Sequence, residues 1–167
     1  MRVGAGLMCA VAVAVAAVAV AAPGVAGTEP ARCMSSNGAI MTIIDGPTAC
    51  GTETDVTGAA VSYGDNGVGF AKADAGASAV GVGLAGGVGA SHGTGGVPAA
   101  FGFGPGSVAI TSVDGGTLSL ALALTDSQAL VADRDQGVVC QGDAAFAWNA
   151  AANRFCLATI VGTWSYR

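Results

Sequence analysis

Between about Thr57 and Gly137 the chain repeats itself every twenty residues, and this recurrence limits the possible folds more than any other feature. Val68, Val88 and Val108 are spaced by twenty, as are Gly76, Gly96 and Gly116, and the pair Gly67 and Gly87. Phe70 is followed at the same interval by Ala90 and Ile110, and Lys72 by His92 and Ser112. After Thr125 the phase is expected to slip by one or two, with Leu130 and Gly137 taking the next places. Within each repeat, large residues occupy alternate positions, as in Leu118, Leu120, Leu122 and Leu124. That is the period of a strand and excludes an amphipathic helix. Turn residues (Gly64-Asp65-Asn66-Gly67, Gly86-Gly87, Gly95-Gly96, Asp114-Gly115-Gly116) separate the apolar stretches. A fixed period of this size predicts an all-β chain, a short parallel β-solenoid with two strands per coil. Turns every ten residues also suit an antiparallel β-sandwich, which stays open as the alternative.

Glycine fills 28 positions, and such a chain loses much conformational entropy on folding. Small Gly and Ala suit a thin solenoid whose sheets approach closely; in a wide core they would leave voids. Phe101 and Phe103 are expected to fill core. Terminal coils need capping. Cys33 and Cys50 lie before the repeats, and Cys140 and Cys156 after them, with no cysteine between. Pairing Cys33–Cys50 and Cys140–Cys156 closes two short loops, each worth about 3 kcal/mol in the chain-entropy model. A zinc site lacks its Cys-x-x-Cys knuckle or clustered His. A bridge joining the two ends would require the termini side by side. The organisation expected is therefore a disulfide-closed N-terminal hairpin or cap over 28–56, a repeat body over 57–137 and a C-terminal cap over 138–167. In that last cap, Ala144–Trp148 and Phe155–Val161 read as strands, with a short helix over Ala144–Ala152 as the alternative. Trp148, Phe155 and Trp164 are expected to cover the last coil.

Residues 1–27 read as a signal peptide. Arg2 precedes an uncharged Ala/Val run ending in Pro23-Gly24 and small residues, with cleavage expected after Ala26 or Gly27. Cys9 follows Leu7-Met8, where a lipoprotein site wants a small residue. Removing this segment leaves five basic against eleven acidic residues, since Arg2 is one of the six Lys/Arg. A surface of that sign excludes nucleic acid as a partner and gives anionic headgroups no basic patch. The mature form is expected to be secreted or held at the cell surface, with no transmembrane segment.

Several motifs match patterns of catalysis or cofactor binding and lack the context that would make them work. Gly89-Ala90-Ser91-His92-Gly93 fits the nucleophile elbow, yet a turn-forming Thr94-Gly95-Gly96-Val97-Pro98 follows instead of a helix. The single histidine is the serine's neighbour and on a strand faces the other way. Gly81-Val82-Gly83-Leu84-Ala85-Gly86 fits the dinucleotide fingerprint, but no acid lies between Ala77 and Val113 to hold a ribose. Lys72 is the only lysine, so a phosphate-binding P-loop is missing too. Asp65-Asn66 and Asp133-Arg134-Asp135 sit at turns and offer oxygen ligands, without the spacing of any calcium loop; they read as turn formers and solubilising charges. Lys72, His92 and Ser112 read as a polar edge of a sheet. No catalytic, cofactor-binding or metal residue is assigned, and no cofactor is expected.

The signal peptide, the Cys33…Cys50 segment containing Ser35-Ser36-Asn37-Gly38, the Gly/Ala-rich middle and the Cys140…Cys156 end together resemble small secreted, uncharacterised Gly/Ala-rich proteins of high-GC actinobacteria. The resemblance covers most of the chain and rests on composition and cysteine layout. It implies export and a disulfide-framed β fold, and it carries no activity. The function expected is a secreted, non-enzymatic structural or surface-interaction protein, in contact with an envelope glycan, lipid or protein. The alternatives are a shallow polysaccharide- or lipid-binding module and, weakest, a small secreted hydrolase.

Overall fold

The computed structural model describes residues 29–132 and 137–166. The expected signal peptide and the Asp133-Arg134-Asp135 turn lie outside them. Fifteen strands run along the described residues, and none of those residues is helical. They are β1 (Ala31–Ser36), β2 (Ile40–Asp45), β3 (Thr48–Thr54), β4 (Ala59–Asp65), β5 (Val68–Asp74), β6 (Ser78–Leu84), β7 (Val88–Thr94) and β8 (Val97–Phe103). They continue as β9 (Val108–Asp114), β10 (Leu118–Ala123), β11 (Gln128–Val131), β12 (Val138–Gln141), β13 (Ala144–Asn149), β14 (Arg154–Thr159) and β15 (Gly162–Tyr166). The two sheets have eight strands, in the order β1-β4-β6-β8-β10-β13-β14-β15, and seven, in the order β12-β11-β9-β7-β5-β3-β2. From β3 to β11 successive strands alternate between the sheets and stack parallel within them. This is a β-solenoid of about four coils, and the antiparallel sandwich is excluded.

The columns legible in the sequence are real registers. Val68 pairs with Val88 and Val88 with Val108; Phe70, Ala90 and Ile110 follow, as do Lys72, His92 and Ser112. The expected phase slip is corrected. Leu130 pairs with Ile110, so the seven-stranded sheet keeps its step of twenty through β11. Its one irregular step is the first, nineteen residues from Ala49 to Val68; in the other sheet nineteen residues separate Val61 from Val80 and Val80 from Ala99, and twenty-one separate Val97 from Leu118. Gly137 continues no coil; it leads directly into β12, which runs antiparallel to β11. The glycine column has a conformational cause. Gly76, Gly96 and Gly116 turn the same corner with φ of 78°, 77° and 77°, a region that costs other residues a clash at Cβ.

From β4 to β11 burial alternates strictly, and the small residues are the ones inside. Ala60, Ser62 and Gly64 of β4 point inward, as do Ala79, Gly81 and Gly83 of β6. They meet Gly69, Ala71 and Ala73 of β5 and Gly89, Ser91 and Gly93 of β7. The sheets approach so closely that a methyl group at Gly81 would strike the carbonyl oxygen of Phe70 across the interior. One at Gly89 would strike that of Val82, and one at Gly69 that of Tyr63. The thin body anticipated from composition is therefore present. The expected place of Phe101 and Phe103 is corrected: Ala100 and Gly102 occupy the interior, and both rings stand half-buried on the outside. Among the described residues no aromatic ring lies between the sheets, and the largest ring inside is that of Pro98.

Antiparallel strands finish both ends. At one, β1 pairs with β4 and β2 forms a hairpin with β3; at the other, β13 pairs with β10 and leads through β14 to β15. Residues 144–149 are strand, so the helix alternative is withdrawn. The disulfides form in the expected pairs, with Cα–Cα distances of 5.7 Å and 5.8 Å. Each joins one sheet to the other: Cys33 on β1 to Cys50 on β3, and Cys140 on β12 to Cys156 on β14. They are staples through the thickness of the body. The sheet edges at β2 and β15 have no further strand beside them among the described residues. Parallel stacking also begins earlier than Thr57, since β3 already lies in register on β5.

Candidate interaction surface

With small residues inside, the alternate positions carry the large residues outward, and the registers align them in rows. On the eight-stranded sheet one row runs Tyr63, Val82, Phe101, Leu122, Phe146, Leu157, Trp164. The next runs Met34, Val61, Val80, Ala99, Leu120, Trp148, Phe155, Tyr166. A shorter row holds Asp65, Leu84 and Phe103. Neighbours in a row half-cover one another, and exposure rises toward both edge strands, where Met34, Trp164 and Tyr166 are 56%, 50% and 53% exposed. Phe101 and Phe103 lie with their rings nearly parallel, centroids 6.4 Å apart, and Phe155 stacks on Tyr166 at 5.6 Å. Trp148, Phe155 and Trp164 thus extend the outer face beyond the last coil and do not cover its end. The outward placement of this aromatic set escaped sequence reasoning. The signal available was the Gly, Ala and Ser neighbours that flank Tyr63, Val82, Phe101 and Leu120.

The seven-stranded sheet differs along its strands. Its first two outward columns are apolar, with Val68, Val88 and Val108, then Phe70, Ala90, Ile110 and Leu130. Its next column is polar. The Lys72 ammonium donates to Glu53 Oε1 at 2.7 Å and lies 4.0 Å from Asp74, while His92 Nε2 is 3.3 Å from the same Asp74 carboxylate. The hydrogen bond to Glu53 raises the Lys72 pKa above its ordinary value. Ser112 continues the register of Lys72 and His92 on β9. The polar edge expected for these three residues is a strip along one margin of this outer face. A further charge escaped sequence reasoning. Asp55, at the corner between β3 and β4, accepts the backbone N–H groups of Thr57 and Gly58 through Oδ1 and that of Ala75 through Oδ2. The Ala75 and Thr57 bonds hold its carboxyl at about 2, below the ordinary 3.8. Asp-x-Thr-Gly at a strand end is the pattern of such a turn.

The catalytic motifs are dismantled by their own strands. Ser91 of β7 is 1% exposed between the sheets, and its hydroxyl has no hydrogen-bond partner. His92 faces solvent on the opposite side of the same strand. Gly81–Leu84 are the end of β6, and Ala85-Gly86-Gly87 leads into β7 without a helix. At the Asp65-Asn66 turn, Asn66 adopts φ of 45° and its N–H donates to Thr48 Oγ1 at 2.8 Å. Among the described residues no three His, Cys, Asp or Glu gather as a metal site.

A family model described as a family of unknown function (DUF6764) matches residues 1–159. The chain belongs to this family. No curated protein and no solved structure matches it. What this member of DUF6764 offers chemically is surface. It has a wide apolar sheet face, a second face divided into apolar and charged strips, and two disulfides of the kind formed in oxidising compartments.

Proposed function

We propose that the protein is an exported, non-enzymatic interaction protein whose working surface is the outer face of the eight-stranded sheet. The observation that carries this reading is the inversion of the β pattern: the large apolar side chains point outward and leave Ala and Gly to form the core. A contiguous apolar face wider than a few hundred Å² marks a contact surface in soluble proteins. The disulfides support export, and the Arg2-led apolar segment is the natural signal for it. N-terminal sequencing of the exported protein should begin near Thr28. Purified mature protein should bind a partner through this face, whether envelope material or a second copy of the chain, and Phe101→Glu should abolish that binding while leaving both disulfides formed. Retention of the full-length N-terminus in the cytoplasm, or equal binding by the variant, would overturn the proposal.

One observation favours a second reading, a polysaccharide-binding platform. Tyr63, Phe101, Phe146 and Trp164 recur at every second strand of one row, about 9.5 Å apart at ordinary strand spacing. That is close to the two-sugar repeat of an extended β-1,4-linked glycan, whose sugar faces stack on aromatic rings. A glycan and lipid array separates the readings: binding to such glycans lost in Phe101→Ala favours the platform, and silence across the array removes it.

A further inference from the structure

The proposed function leaves open what covers the apolar face. We propose that the same face of a second copy of this chain covers it, the two eight-stranded sheets packing face to face about a two-fold axis. This rests on the reading that this face is the working surface, and it names the partner.

Area is the first argument. The seven strands from β4 to β15 span about 34 Å across, and strands of about six residues add about 20 Å along the chain. Face-to-face burial then removes roughly 700 Å² per copy, or about 1,400 Å² in all, which lies within the range of specific, stable interfaces. The largest apolar patch of a typical monomer is smaller, roughly 300–600 Å².

Chemistry is the second. Through the middle of the two long rows, Val80, Val82, Leu120 and Leu122 surround Phe101, so the centre offers a sugar hydroxyl nothing to bond. A glycan would lose hydrogen bonds to water there and regain few. Arg32, beside Tyr63, is the cation at the margin of these rows, and the chain has only 6 Lys/Arg against 11 Asp/Glu, so an anionic lipid surface is repelled. An identical apolar face meets neither obstacle. The Glu53, Lys72, Asp74 and His92 charges lie on the other sheet, so face-to-face packing buries none of them, and the charges of this face, Arg32 on β1 and Asp65 at the end of β4, lie at its margin. An isologous contact needs one self-complementary patch, and flat sheets bearing large side chains pack about 10 Å apart.

Both tryptophans of the chain, Trp148 and Trp164, stand on this face and report on it directly. Sedimentation velocity of the mature chain should give a dimer at micromolar concentration. Dilution should dissociate it with a shift of tryptophan emission to longer wavelength. Leu122→Glu should give a folded monomer, with both disulfides intact by non-reducing peptide mapping. Should that variant fail to fold, Leu122→Thr should still weaken the dimer by about tenfold or more. Ile110→Glu, on the opposite outer face, should remain a dimer. A wild-type monomer at every concentration, or a dimer broken by Ile110→Glu and not by the Leu122 variants, overturns the proposal. If the wild-type monomer binds envelope material and Leu122→Glu loses that binding, the second copy fails while the surface reading stands. If the binding is indifferent to Leu122→Glu, both fail.

Discussion

The substitution Gly81→Ala adds one methyl group, and on an ordinary strand it would stabilise by about 0.4–1 kcal/mol through the unfolded chain. Here the opposite is expected. Besides its collision with the Phe70 oxygen, the new Cβ would lie 2.6 Å from the Phe70 carbonyl carbon and 2.9 Å from the Gly89 oxygen. All three atoms belong to backbone of the facing sheet, so no side chain can rotate out of the way. The sheets must part by about an ångström, and the neighbouring coils lose contact with them. Overpacking costs typically about 1–3 kcal/mol, and a backbone obstruction belongs at the upper end. After the unfolded-state gain, the net loss should be at least about 2 kcal/mol, or roughly 8 °C in melting temperature for a chain of this length. Gly76→Ala is the control. Its φ is 78° and nothing lies within 4 Å of its added methyl, so it bears only the left-handed penalty of about 1–2 kcal/mol, partly offset in the unfolded chain. Differential scanning calorimetry of both variants ranks the two costs. If Gly81→Ala loses no more than Gly76→Ala, close approach of the sheets is not what selects glycine in the interior.

Removing the Cys33–Cys50 bridge as a double alanine variant should cost about 3 kcal/mol in urea unfolding, and removing Cys140–Cys156 about the same, because the separations of 17 and 16 residues are nearly equal. The two losses should add, since the bridges lie at opposite ends of the body. Asp55 should make the protein acid-sensitive in a defined window. Its folded pKa is depressed, so its contribution is fully present above 3.8 and is lost as pH falls through about 2. Melting curves of Asp55→Ala should start lower and lose less than wild type across that interval. Ser91→Ala removes a buried hydroxyl without a partner and should leave stability unchanged or raise it by up to about 1 kcal/mol. A fluorophosphonate probe should leave Ser91 unlabelled in the folded protein, and labelling would overturn its assignment as an interior residue.

The coil period was readable because a parallel solenoid places equivalent residues in one column, and Val68, Val88 and Val108 repeat the same environment. The disulfide pairs were readable because close cysteines at either end of a cysteine-free body have few partners. Which side of each strand faces inward was not readable for Phe101 and Phe103. A period of two divides residues into two sets and leaves their orientation to the space available. A rule that places the larger set inside assumes a sheet spacing that Gly81, Gly83 and Gly89 do not permit. The irregular nineteen- and twenty-one-residue steps of the eight-stranded sheet were hidden for a related reason. They arise from corners of unequal length: Asn66-Gly67 and Gly95-Gly96 are a residue shorter than Ala85-Gly86-Gly87, and Gly104-Pro105-Gly106-Ser107 is a residue longer, while the strand register continues unchanged. The candidate surface followed from the same missed orientation, since reversing the two sets turns an expected core into an exterior row.

The staples at either extremity have a further consequence for how such a chain can change over evolutionary time. Each internal coil touches only its immediate neighbours, through parallel strand pairing, while the covalent locks and antiparallel finishes belong to the two ends. Duplication or excision of one whole winding therefore leaves both termini intact and reseals the same seam. The length of the body is free to drift in units of a turn, and with it the breadth of the exterior that meets other molecules.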